Sequence, residues 1–294
     1  MKKLKNIGAA LLYVAIYFLV QTIVVTAFEV VAVSGQMYDV MMRGEFDYAA
    51  IYEAVEKSIT ENAILLTVIS NVVFVLTIVL IFAVRKKNFF REVGLLKPDP
   101  RYILPVIALG VSINVIISVV ISIIPFPQSW LDAYNAASSS LEQTNALTII
   151  AAVIVAPLTE ELLLRGLVFT RISRSLGVYV GMVASSLIFG LMHGTAIWFI
   201  YTAIFGLILA FVFYRSRSLV YPILLHLSFN LTSFLLTGDI PVYVIVLSIA
   251  VFAAAMVIFV MMSNKIIRAE KAATPANIDA SNPENKSDDN EQQQ

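Results

Sequence analysis

Cysteine is absent from the 294 residues, which excludes a disulfide framework, a thiolate metal site and a cysteine nucleophile together. Charge is scarce as well: Asp, Glu, Lys and Arg make up 14% of the chain against 59% hydrophobic residues, with a mean hydropathy of +0.86. That balance lies outside the range of soluble domains and indicates a polytopic membrane protein. Histidine is rarer still, with only His193 and His226 in the chain. No phosphate-binding glycine loop, repeat of fixed period or nucleic-acid patch is present, so lipids and not nucleic acid are the expected surroundings.

What the chain has in quantity is apolar runs. Crossing about 30 Å of hydrocarbon takes around 20 residues, and about eight runs are candidates: roughly 7–33, 63–84, 103–124, 147–170, 177–195, 196–214, 219–236 and 240–262. The expected fold is therefore all-α, a polytopic transmembrane helix bundle. The segment 34–62 reads as an outer acidic loop, with Asp39, Glu45, Asp47, Glu53, Glu56 and Glu61 against Arg43 and Lys57. All other Lys and Arg residues fall on the opposite side, in 2–5, 85–101, 165–174, 215–217 and 265–286. The positive-inside rule then places both termini in the cytosol of a multi-pass protein of the cell membrane, bacterial in origin. The first run follows a basic start but is far longer than a signal-peptide core, which favours a retained signal-anchor. The domain reading is 1–146 for spans one to three with the outer loop, 147–236 for a core of spans four to seven, and 237–268 for the last span. Residues 269–294, rich in Asn, Asp, Glu, Gln and Ser, form a disordered cytoplasmic tail.

Polar groups inside spans are costly and usually functional. Glu160 and Glu161 are adjacent, so helical geometry turns them about 100° apart. Glu161 stands four residues before Arg165, the favourable order for a helical ion pair, and is assigned to structural support with Arg165. Glu160 has no such partner and is left to face a cavity and take a proton. Pro157, a turn earlier, removes a backbone hydrogen bond and opens the helix to water. His226 and Asn230, at i and i+4, share one face. Ser185, Ser186, Gly190 and Gly194 let a neighbouring helix approach the span that carries His193. Gln21, Asn71 and Asn114 read as packing contacts, and Glu29 as an outer-interface residue.

Glu-Glu-x-x-x-Arg at 160–165, Phe-x-x-x-His at 189–193 and His-x-x-x-Asn at 226–230, in that order on successive apolar helices, resemble the CPBP family of intramembrane proteases. That family, also called Abi, includes the type II CAAX-prenyl endopeptidases and bacterial proteins linked to bacteriocin immunity and peptide processing. The resemblance covers about 147–236 and implies an endopeptidase acting on a membrane-associated peptide or protein. It implies catalytic roles for Glu160, His193, His226 and Asn230. Glu160 would activate water with His193 beside it, and His226 with Asn230 would stabilise the oxyanion. In a second version Glu160, His193 and His226 ligate a divalent metal such as zinc, whose bound water ionises more readily. No H-E-x-x-H helix sets such a geometry, and the residues leave both versions open. The rival class is a non-enzymatic scaffold or bacteriocin-immunity protein, or a small transporter using Glu160 as a proton relay; no inverted repeat supports transport.

Measured along straight helices, Glu160 lies about 21 Å from Arg174, His193 about 28 Å from it, and His226 about 13 Å from Arg217. They converge if 166–176 projects into the cytosol, and the expected cavity opens to the cytoplasm.

Overall fold

The computed structural model describes residues 2–43, 47–142, 145–236, 238 and 240–273, and among them the regular elements are helices with no strands. Two long helices, α1 (Lys2–Arg43) and α2 (Tyr48–Val84), form a hairpin, with Asp47 accepting from the amides of Ala49 and Ala50 to start α2. A short α3 (Phe89–Val93) leads through a 3₁₀ turn to α4 (Ile103–Ile123), and α5 (Gln128–Glu142) follows. The central α6 (Ala146–Leu176) is succeeded by α7 (Val178–Leu191), α8 (Ala196–Ser216), α9 (Val220–Leu235) and α10 (Val242–Ala273).

Among the described residues six helices are long and apolar enough to cross a bilayer: Lys3–Tyr38, Tyr48–Val84, Pro100–Ile123, Ala146–Leu176, Ala196–Ser216 and Val242–Lys265. The other two expected spans are helical but short. With 14 and 16 residues, α7 and α9 reach only about 21 and 24 Å, less than the hydrocarbon thickness of about 30 Å. Gly177 and Gly194, both with positive φ, bracket α7, because the chain there needs a conformation that glycine adopts freely. The two short helices are the ones that present His193 and His226.

The segment read as an outer loop is mostly helix. Here α1 runs on to Arg43 and α2 begins at Tyr48, so Ser34–Arg43 and Tyr48–Asn62 extend the hairpin beyond the apolar runs; Glu45 lies outside the described residues. Hydropathy marks where a helix meets lipid, not where it ends. At the other terminus α10 continues through Ala273, and the rest of the tail expected to be disordered, 274–294, lies outside the described residues.

The buried core gathers around α6. All eight residues of Leu162–Phe169 are buried, in a π-helical stretch, and a second π-helical stretch spans Ile150–Val155. Cross-helix hydrogen bonds occur where packing contacts were expected: Asn114 Nδ2 donates to Ser233 Oγ at 2.7 Å, and Gln21 Nε2 to Asn71 Oδ1 at 3.4 Å. Gly190 allows α8 to approach α7, since a Cβ there would stand 2.8 Å from the Phe199 carbonyl oxygen. Gly194 faces open space, so its contribution is to backbone conformation and not to packing.

The closest approach is between α4 and α9, where a Cβ on Gly110 would overlap the Leu225 carbonyl oxygen and the Ser228 hydroxyl. Gly110→Ala must therefore displace α9, the carrier of His226, at a cost of about 1–3 kcal/mol. A lower melting temperature in detergent, with function falling more than the melt alone predicts, is the expected result; an unchanged melt would refute it.

Candidate active site

The two adjacent carboxylates diverge. Glu161 is fully buried and its Oε1 accepts from Arg165 Nη1 at 2.9 Å. The Arg165 guanidinium, also fully buried, donates through Nη2 to the Gly206 carbonyl at 2.9 Å and lies over the Phe189 ring at 4.9 Å. Glu160 turns away from this pair into a cavity of about 440 Å³.

Glu161 does a second thing that its spacing to Arg165 does not announce. The same Oε1 lies 3.1 Å from His226 Nδ1. A carboxylate can only accept, so Nδ1 carries the proton and Nε2 is the nitrogen that faces Glu160, 3.8 Å from its Oε2. Arg165, Glu161 and His226 thus form a chain that fixes the ring orientation. His193 is anchored by the same logic from another side. It lies in the turn after α7, and its Nδ1 is 2.7 Å from the Phe189 carbonyl oxygen, which leaves Nε2 with its lone pair available. The Phe189 ring contacts both imidazoles edge-on, at 4.8 Å to His193 and 5.6 Å to His226.

Asn230 answers a defect created by Pro157. In the first π-helical stretch the Ala156 amide donates to the Ala151 carbonyl, five residues back. The next bond in that register would run from residue 157 to the Ala152 carbonyl, but proline has no N–H. Asn230 Nδ2 supplies the missing donor, at 2.8 Å from Ala152 O. Pro157 therefore does not leave an open backbone for water, as its position in the sequence suggested; it recruits α9. The second Nδ2 hydrogen of Asn230 remains available for other acceptors.

The cavity walls hold residues that the motifs do not contain. Tyr17 of α1, Thr67 of α2 and Trp198, Tyr201 and Thr202 of α8 line it together with Glu160, His193, His226 and Asn230. Glu160 is close enough to act electrostatically on both Tyr17 and Tyr201. Their aromatic character inside apolar runs was the available signal, and it is indistinguishable in sequence from ordinary core packing.

Among the described residues no Lys or Arg lines the cavity; its far lining is Ala63 of α2, Thr148 in the first turn of α6, and Trp198 at the start of α8. By position along their helices these lie toward the end of the bundle away from the basic loops, the end at which His193 sits on the turn after α7.

Among the described residues no group of three His, Asp or Glu side chains is placed to hold a metal ion. Glu160, His193 and His226 share a chamber without forming a ligand set in this arrangement.

An all-helical bundle with a Glu-His cluster enclosed between its apolar helices places the chain among multi-pass membrane proteins with an internal polar chamber. Residues 142–232 match the family model described as type II CAAX prenyl endopeptidase Rce1-like, consistent with a CPBP family protease. The match covers the chemistry-bearing helices from the end of α5 into α9 and leaves out α1 to α4 and α10. No curated protein and no solved structure matches the chain.

Proposed function

We propose that this protein is an intramembrane endopeptidase of the cell membrane that hydrolyses a peptide bond in a membrane-associated peptide or protein. The observation that carries the reading is the convergence of the Glu160 carboxylate with the two outward-facing Nε2 atoms in one chamber. Glu160 takes one proton from a water molecule, and His193 Nε2 orients that water by accepting a hydrogen bond from the O–H that remains. The oxygen adds to the peptide carbonyl. When its Nε2 carries a proton, His226 donates through that Nε2–H to the tetrahedral oxyanion. The second Asn230 hydrogen is the companion donor. Glu160 finally passes its proton to the leaving amine.

The test uses purified protein in liposomes with a library of quenched peptides. The expected result is a single cut bond by mass, with His193→Ala lowering kcat/KM by about 10²–10⁴-fold. Dialysis against a chelator decides the metal version: loss of cutting restored by added zinc would establish it. No cutting by the wild type under either condition, together with unchanged cellular phenotypes for Glu160→Ala, His193→Ala and Asn230→Ala, would sink the protease in favour of a non-enzymatic scaffold.

A further inference from the structure

We infer that the chamber is reached from the extracytoplasmic face, and that what it takes is a cationic, extended segment of an exported or membrane-anchored polypeptide. The inference rests on the proposed protease for the word substrate, but its geometry stands alone.

Depth supports the direction. Arg85 closes α2 at the basic end. From there Thr67 and Ala63 lie about 27 and 33 Å along the helix, close to the full hydrocarbon thickness of about 30 Å. Both line the chamber. On α8, Trp198 stands about 25 Å from Arg215 by the same measure. Glu160, about 21 Å along its helix from Arg174, and His226, about 13 Å from Arg217, form the floor. Between that floor and the basic loops lies a separate apolar cavity, lined by Val93, Thr159, Leu162 and Leu219, which shares no lining residue with the chamber. Leu162 to Phe169 are all buried, and the Arg165 guanidinium is held by Glu161 and the Gly206 carbonyl. The chamber is a well whose bottom lies near mid-membrane and whose mouth is at the face opposite the positive charges. The positive-inside rule makes that face extracytoplasmic.

Charge and shape at the mouth indicate the ligand. The α2 extension just beyond Ala63 carries Glu53, Glu56 and Glu61 against Lys57, and Lys57 is 3.9 Å from Glu61. On α5, Asp132 is the charged residue before Glu142, and Tyr134 of that helix packs edge-on against Trp198, which in turn meets His193 at 6.3 Å. A cation approaching this rim is favoured, an anion is not. Below the rim the walls are mostly aromatic and apolar, with threonines at 67, 148 and 202, and a cavity of about 440 Å³ excludes a folded domain.

The native absence of cysteine permits a clean test in the full-length protein. Ala156→Cys places a thiol on the chamber wall one turn above Glu160, Thr67→Cys places one near the mouth, and Lys97→Cys reports the basic face. Membrane-impermeant methanethiosulfonates, one a trimethylammonium cation and one a sulfonate anion, are added to right-side-out and inverted vesicles. Ala156→Cys and Thr67→Cys should react at least tenfold faster from the face opposite the one that labels Lys97→Cys. The cation, normalised to its rate with a free thiol, should outpace the anion, by a margin that salt reduces. Reaction of Ala156→Cys from the Lys97 face, or from neither, overturns the direction; an equal or faster anion overturns the charge preference. Because no cleavage is read, a protein that labels as expected yet cuts nothing keeps this inference and refutes only the protease.

Discussion

Glu160→Gln abolishes peptide cleavage, lowering kcat by about 10²–10⁴-fold, while leaving the melting temperature of the protein almost unchanged. The two halves of that expectation come from one geometric fact. Glu160 faces the chamber and has His226 Nε2 at 3.8 Å as its nearest ionic neighbour, too long for a direct hydrogen bond. The amide of glutamine fills the same space and cannot take a proton from water. Nothing structural leans on the lost charge, since the Arg165 ion pair belongs to Glu161. The variant should still bind peptide, which fluorescence anisotropy of a labelled substrate would register. A Glu160→Gln protein that cuts at more than a tenth of the wild-type rate would remove Glu160 from the role of base.

Arg165→Leu has the opposite profile, with folding as the casualty. It strands the Glu161 carboxylate in a site with no exposure to solvent, and breaking a buried pair from one side costs about 3–5 kcal/mol. That is a large fraction of the whole stability of a typical domain. The same change deletes the donor to the Gly206 carbonyl and the cation over Phe189. Glu161→Leu combined with Arg165→Leu should recover much of the melt, because two apolar side chains replace two opposite charges. Activity should not return, because His226 Nδ1 has lost the carboxylate that orients it. Thermal melts of the single and double variants, with cleavage rates beside them, separate the roles. Recovery of both stability and rate in the double variant would show that Glu161 does not position His226.

Much of the chemistry could be read from spacing alone. Adjacent positions on a helix must diverge, so Glu160 and Glu161 could be separated before any coordinates, and an acid four residues before an arginine implied the pair. What could not be read depends on the third dimension. The contact from Glu161 to His226 joins residues far apart in sequence. The π-helical register before Pro157 comes from packing around α6, and without it nothing connects Asn230 to the Ala152 carbonyl. Hydropathy located eight apolar helices but not their lengths. Glycines at 177 and 194, each with positive φ, cut α7 to a length that apolar composition does not reveal. His193 therefore sits on the turn that follows α7 and not within a full-length span.

The wall formed by Tyr17, Ala63 and Thr67 comes from helices outside the matched segment 142–232. Part of the surface that would choose what is admitted therefore lies on a different stretch of the chain from the groups that would break a bond. Selection acting on the first two helices can alter diet without disturbing the reaction. Exchanging α1 and α2 between two such proteins should transfer preference and leave the cutting machinery intact.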